Sequence, residues 1–332
     1  MREVTWIKRL AALGALLAFF VVVLGGYTRL SNSGLGCPDW PGCFGHIAPT
    51  GNAEHYASDA DVRKAWVEMT HRYAAGALLL IVLVITTFSV KARRERGVNV
   101  AFAFCLLALI LFQAILGMFT VTWLLKPLVV TGHLLGGLTT FAMLLWLWLT
   151  QRAQHRPVNG SSVLTGNLLV EDGRRARLWA TLALAALGLQ VFLGGWTSSN
   201  YAAVACPDFP KCQAQWIPQA DYHDAFVLWR GLGINYAGGV LDHPARVAIH
   251  FTHRLGALLA ALLLALLGAR LAFAPATRPD GLAVLVALVC QLTLGVSIVV
   301  FGVPLYAAVA HNGVAALLLL TVINANQRTS NT

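Results

Sequence analysis

The chain has 332 residues, of which 58% are apolar and 11% are charged, and its formal net charge at pH 7 is +10. Soluble domains carry about 25% charged residues, so the composition excludes a soluble globular protein, a disordered chain and a disulfide-stapled secreted module. The basic residues fall in short segments between apolar runs, which indicates membrane topology rather than a nucleic-acid-binding surface. We therefore predict an all-α polytopic membrane protein.

Eight apolar runs are long enough to cross a bilayer, which takes about 20 helical residues. They centre on residues 10–28, 73–90, 101–124, 129–149, 178–197, 247–269, 282–303 and 305–323. The first run is too long for the core of a cleaved signal peptide and is interpreted as a retained anchor. The distribution of lysine and arginine predicts that both termini are cytoplasmic. No Arg-rich transit peptide precedes the first run, so we expect a bacterial plasma membrane.

The two halves of the sequence repeat each other. LGGYTRLSNSGLGCPDWPGC at 24–43 aligns with LGGWTSSNYAAVACPDFPKC at 193–212, and QAILG at 113–117 aligns with QLTLG at 291–295. Four spans per repeat is an even number, so both halves enter the membrane from the same side. This predicts two parallel four-helix bundles related by a pseudo-twofold axis along the membrane normal. The predicted parts are an N-terminal half at 1–150, a cytoplasmic linker at 151–177 and a C-terminal half at 178–332.

Four histidines occupy equivalent places in the repeat. His71, His133, His253 and His311 lie near the starts of the second, fourth, sixth and eighth spans, so all four are predicted near the outer face. Ionisable side chains within spans are costly and by default mark a functional site. A pair of imidazoles on facing helices suits axial ligation of a haem iron, whereas zinc would need further ligands nearby. Interfacial histidines that cap helices or bond across the bundle are the alternative interpretation.

The repeat differs at one informative position, where Glu68 in the first half corresponds to His250 in the second. Residues three apart share a face of a helix, so Glu68 is predicted to point toward whatever His71 binds. Its carboxylate could shape a proton path or stabilise positive charge, or it could only bond to arginine or water at the interface. Arg72 and Arg254 follow two of the histidines and could pair with haem propionates or snorkel to the headgroups.

The six cysteines are of two kinds. Two of them, Cys105 and Cys290, lie inside spans and are predicted to be inert core residues. The other four form two CPDxPxC pairs on the outer side, where oxidation is permitted. A structural staple and a redox-active pair both remain open for these loops. The pairs are Cys37 with Cys43 and Cys206 with Cys212.

Taken together, these motifs resemble the heme A synthase family, in its cysteine-containing bacterial type. The resemblance implies a membrane oxidoreductase that oxidises the C8 methyl of heme O to a formyl group in two successive oxidations, giving heme A for terminal oxidases. It implies that His71 and His133 face heme O, that Glu68 is the essential acid, and that His253 and His311 ligate a haem b. The motifs that carry it are GLGCPDWPGC after GGYTRLS, E-x-x-H-R at 68–72, TGHLLGG, THRLG and AHNG.

The resemblance also implies partners. These are the heme O substrate, the heme O synthase that supplies it and a membrane electron donor, for which quinol is one candidate. The oligomeric state stays open, with a homo-oligomer as one option, and the placement of the basic residues predicts no nucleic-acid partner. The oxidation could use oxygen activated at the substrate iron or electron removal followed by water addition. Two other functions are considered. A membrane disulfide–quinone oxidoreductase would not need four intramembrane histidines, and a haem or solute transporter would place its ligands at the midplane.

Overall fold

A computed structural model describes residues 2–49, 58–153 and 168–330 of the chain. Within these ranges every named element is an α-helix, and no β-strand is formed beyond two isolated bridges. The helices are α1 (Arg2–Leu30), α2 (Asp59–Lys91), α3 (Val100–Thr122), α4 (Pro127–Ala153), α5 (Leu168–Ser199), α6 (Tyr222–Ala225), α7 (His243–Phe273), α8 (Arg278–Val300) and α9 (Leu305–Ser330).

Eight of these helices, all except the short α6, are long and apolar enough to cross a membrane. The predicted all-α polytopic class is therefore confirmed, and the chain is a multi-pass membrane protein. Several helices extend beyond their apolar runs. Helix α2 begins at Asp59, well before the predicted residue 73, because Asp59 and Asp61 in its first turn suit the positive end of the helix dipole. His71 therefore lies about three turns inside α2 rather than at its start.

Helix packing divides the spans into two sets. Helix α1 packs against α2 and α4, and α3 packs against the same two helices. In the second set α7 packs against α5 and α8, and α9 likewise packs against α5 and α8. The sets meet where α9 contacts α1 and where α4 contacts α5 and α9. Each set has its own apolar core, and the core of the first set also includes Ala316 of α9.

At the boundary between the sets, two hydrogen bonds join residues that are equivalent in the repeat. Arg29 Nη2 donates to the Ser198 carbonyl at 2.6 Å. The Tyr201 hydroxyl donates to Asn32 Oδ1 at 3.3 Å. Both pairs are separated by 169 residues, which is the offset of the first repeat motif. The ends of α1 and α5 therefore meet at matching positions.

The predicted linker at 151–177 is described only in part, because residues 154–167 lie outside the described residues. Helix α5 already begins at Leu168, so the last part of that segment is helical. The cysteines within spans differ from expectation. Cys105 on α3 and Cys290 on α8 are exposed on the helix surface. Their prediction as core residues is wrong, since apolar periodicity does not distinguish a core face from a face turned to lipid.

Candidate functional site

Each of the four predicted histidines packs against a glycine on the neighbouring helix. A Cβ atom built on any of these glycines would lie between 2.9 and 3.5 Å from Cε1 of the facing imidazole. Small residues let helices approach closely in membranes, and here they make room for a ring between two backbones. The pairs and their distances are His71 with Gly25 (2.9 Å), His133 with Gly117 (3.5 Å), His253 with Gly194 (3.2 Å) and His311 with Gly295 (3.2 Å).

The first-half histidines face each other. The ring centres of His71 and His133 are 6.3 Å apart and their planes are inclined by 81°. Two facing imidazoles at this spacing could hold a haem between them. Among the described residues, Nδ1 of each ring is buried without a hydrogen-bond partner. His71 and His133 are therefore the residues that would hold a haem in the first half.

A cavity of about 1100 Å³ surrounds this pair. Ligand pockets in proteins are typically about 300–1,000 Å³, so the cavity is large enough for a bulky ligand. It is lined mainly by α1, α2, α3 and α4, and both rings of the pair reach it. Four residues of the second half complete one wall, namely Gly194, Gly195, Ser198 and Asn312.

Glu68 lines the same cavity as His71. The residue is only 4% exposed. Its Oε1 accepts a bond from Arg72 Nη2 at 2.5 Å, and its Oε2 accepts the backbone N–H of Cys37 at 3.0 Å. A buried carboxylate is costly unless it is paired and hydrogen-bonded, and both conditions are met here.

Arg72 fastens the first disulfide loop to α2. Besides pairing with Glu68, its Nη1 donates to the carbonyls of Asp39 at 2.9 Å and Gly42 at 2.5 Å. The guanidinium also lines the cavity. The structure therefore gives Arg72 a structural task that the sequence did not predict, because the loop carbonyls that it binds come from a segment about 30 residues earlier. Its proposed role toward haem propionates remains a prediction.

The second half repeats this arrangement with a different side chain at its centre. His250 Nδ1 accepts the backbone N–H of Cys206 at 3.3 Å, as Glu68 does for the first cysteine of its own loop. Arg254 Nη2 donates to the Cys206 carbonyl and its Nη1 to the Lys211 carbonyl, both at 2.8 Å. Arg254 thus holds the second loop to α7.

The cysteines are joined in pairs as disulfides, Cys37 with Cys43 and Cys206 with Cys212. In each loop the aspartate of the CPDxPxC motif accepts two backbone N–H bonds: Asp39 from Phe44 and Gly45, and Asp208 from Gln213 and Ala214. The four bond lengths are 2.6, 2.8, 2.6 and 2.9 Å. Partial burial would raise the pKa of Asp39, but the backbone donors of Gly45 and Phe44 outweigh it and lower that pKa below its ordinary value.

Sequence reasoning missed Arg29, which lines the cavity. Its guanidinium also lies 4.2 Å from the ring centre of Tyr201, beside the bond to Ser198 already described. Among the described residues its buried Nε has no hydrogen-bond partner. The repeat contained a signal, because Ser198 stands at the equivalent position and only the first half carries this cation.

Three glutamines beside the histidines were also missed. Gln190 Nε2 lies 3.1 Å from His253 Nδ1, and Gln291 Nε2 lies 3.1 Å from His311 Nε2. Gln113, the repeat equivalent of Gln291, lines the cavity near His133. The QAILG and QLTLG motifs contained this signal, but an amide in an apolar run does not by itself indicate a ligand-binding role.

Comparison with known proteins identifies the family. The model of the COX15-CtaA family, described as cytochrome oxidase assembly protein, matches residues 8–323. A heme A synthase from Shewanella oneidensis is 43% identical, covering 98% of this chain and 96% of the relative. Heme A synthases from Rhizorhabdus wittichii and Halalkalibacterium halodurans are 28% and 24% identical, over 93% and 91% of this chain and 90% of each relative. The chain therefore belongs to the COX15-CtaA family of cytochrome oxidase assembly proteins.

Proposed function

We propose that this chain is a heme A synthase, which oxidises the C8 methyl of heme O to a formyl group. One observation carries the proposal most directly: His71 and His133 face each other at 6.3 Å within a cavity of about 1100 Å³. The names of the relatives support the activity. A disulfide–quinone oxidoreductase would give no use to this paired-histidine cavity.

In this proposal the first half holds heme O, with His71 and His133 on either side of its iron. The anionic propionates lie at the end of the cavity that carries Arg29 and Arg72, because guanidinium groups bind carboxylates well. Arg29 is the better placed of the two, since the donors of Arg72 already serve Glu68 and the disulfide loop.

Glu68 supplies the acid–base chemistry. Each oxidation replaces a C–H bond of the methyl by C–OH with one atom of O2, while the two electrons and two protons of a quinol reduce the other oxygen atom to water. The methyl becomes a hydroxymethyl group and then a gem-diol, and loss of water from the diol leaves the formyl group. Glu68 is the carboxylate on the cavity wall that can take up such protons or stabilise developing positive charge. Arg72 and the Cys37 N–H orient its two oxygens, so the disulfide loop acts on the chemistry through Glu68.

In the second half, His253 and His311 would hold haem b. These rings pack on Gly194 and Gly295 as the first-half rings pack on their glycines, which supports a similar site there. When bound there, haem b supplies one-electron transfer. Gln190 restrains the ring of His253 through Nδ1, which leaves the other nitrogen free to ligate.

The two halves are related by a pseudo-twofold axis along the membrane normal. On a twofold axis a residue contacts its own equivalent, and the Arg29–Ser198 and Asn32–Tyr201 bonds support such an axis. The proposed parts are the N-terminal half (1–150), the linker (151–177) and the C-terminal half (178–332).

Both termini are cytoplasmic and the haem sites lie toward the outer face of a bacterial plasma membrane. A heme O synthase supplies the substrate, a membrane quinol supplies electrons, and the enzyme forms homo-oligomers.

The test is expression in a bacterium that makes heme O but lacks heme A, followed by chromatography of extracted haems. The chain should yield heme A. Its His71→Ala variant should yield only heme O while keeping the low-spin haem b spectrum, and His253→Ala should lose that spectrum while staying in the membrane. Absence of heme A with the wild-type chain would overturn the activity. A full low-spin signal in His253→Ala would overturn the assignment of haem b to the second half.

A further inference from the structure

Gln113 and Gln291 are repeat equivalents that adopt different positions. Gln291 lies 3.1 Å from Nε2 of His311. Gln113 is 7% exposed and lines the first-half cavity. Across the described part of the chain, neither its Nε2 nor its Oε1 has a hydrogen-bond partner. A buried amide without partners is costly, so its retention beside a ligand cavity points to a group that the ligand brings.

The facing helices differ at the matching position. The Gln113 amide lies directly against Gly136 of α4, where any Cβ would collide with the amide nitrogen. The equivalent position in the second half is Val314. Gly136 leaves room for the Gln113 amide, whereas the Gln291 amide lies beside its histidine. The first half thus presents an amide to the cavity.

The position of Gln113 indicates which part of a substrate it meets. The charged side chains Arg29 and Arg72 are at the end of the cavity where α1 ends and α4 begins. Gln113 precedes Gly117 by one helical turn, about 5.4 Å, and therefore lies on the opposite side of the histidine pair. In heme O the propionates are on one edge of the macrocycle, and the hydroxyl-bearing farnesyl chain is attached near the opposite edge.

We propose that the Gln113 amide binds the hydroxyl group of the farnesyl side chain and so selects heme O over heme B, which has a vinyl group in that place. A hydroxyl both donates and accepts and can therefore satisfy Oε1 and Nε2, whereas a vinyl group can satisfy neither. Sites built to bond a substrate hydroxyl discriminate against analogues that lack it. The inference rests on the proposal that this cavity holds heme O.

The experiment measures dissociation constants of heme O and heme B by absorbance titration of the purified full-length protein. The variants are Gln113→Leu, which keeps the size of the side chain, and Thr86→Val as a control. Thr86 is 5% exposed, lies outside the cavity and donates its hydroxyl bond to the Val82 carbonyl. Gln113→Leu should weaken heme O binding about 5- to 10-fold and change heme B binding by less than about 2-fold. Thr86→Val should leave both constants unchanged.

Thermal unfolding without added haem gives an independent readout. Gln113→Leu should unfold at the same temperature as the wild type or higher, because it removes a buried amide that lacks partners. A lower unfolding temperature, an equal loss for both haems or no loss for heme O would overturn the inference. His133→Ala separates the two proposals. If it weakens heme O binding while Gln113→Leu does not, only the inference about Gln113 fails; if it leaves heme O binding intact, the cavity assignment fails with it.

Discussion

Glu68 and His250 hold the same structural position in the two halves, since each accepts the backbone N–H of the first cysteine in its disulfide loop. Each is also contacted by the arginine four residues later. The scaffold is therefore common to both sites, and the chemical difference lies in the side chain that completes it. A carboxylate paired with arginine completes it beside the cavity of the first half, and an imidazole completes it in the second half.

This relationship predicts unequal effects of the same replacement. Glu68→Gln keeps an acceptor for the Cys37 N–H but cannot take up a proton, so heme A formation should fall by about 100-fold or more. The matched His250→Gln variant should retain most activity. Chromatography of extracted haems measures both, and the low-spin spectrum reports folding. Equal heme A yields from the two variants would show that the carboxylate is only structural.

Gly25 should not tolerate a methyl group. In Gly25→Ala the new Cβ would lie 2.9 Å from Cε1 of His71, so the ring must shift from its position opposite His133. We expect heme O binding to weaken at least about 10-fold, since misplacement of a site by about 1 Å is costly. The control is Gly188→Ala on α5, where a Cβ meets no atom within 4 Å. Similar heme O affinities for the two variants, measured by titration, would contradict this account.

The disulfide loops should matter unequally. Closing so short a loop restricts the unfolded chain by only about 2 kcal/mol, a small contribution to a bundle of eight spans. The first loop, however, supplies the Cys37 N–H to Glu68. Cys37→Ser should therefore lower heme A formation more than protein abundance, whereas Cys206→Ser should have a smaller effect on turnover. Immunoblots and haem extraction compare the two quantities; an equal loss of activity in both variants would count against a role through Glu68.

The first loop should loosen in acid. Because the folded-state pKa of Asp39 is below the ordinary value of 3.8, its bonds to Phe44 and Gly45 contribute stability above that pH. The contribution is lost as the pH falls through the lower folded-state value. Reduction of the Cys37–Cys43 bond by a phosphine should accelerate below about pH 4. Asp39→Asn, which retains only one acceptor oxygen, should be reduced faster at neutral pH, with a weaker acid dependence. A wild-type reduction rate in Asp39→Asn would refute this role of the carboxylate.

The eight spans could be predicted because runs of about 20 apolar residues have few other uses, and the repeat revealed the four histidines by their matching positions. The packing partners could not be predicted. Gly25 and Gly117 are separated in the sequence from the rings that they contact, and glycine is common in membrane helices for other reasons. For Arg72 the sequence predicts either pairing with propionates or snorkelling to the headgroups, and not its bonds to the Asp39 and Gly42 carbonyls, because these depend on the fold of a loop about 30 residues away.

The cavity wall formed by Gly194, Gly195, Ser198 and Asn312 belongs to α5 and α9. A chain cut after residue 153 would keep His71, His133 and Glu68 but would leave that wall open to lipid. The two halves are therefore not exchangeable modules, although the same pattern of residues recurs in both. Coexpressed as separate polypeptides, they would have to reassociate before the substrate could be enclosed, so activity would follow the strength of their association as well as the integrity of each half.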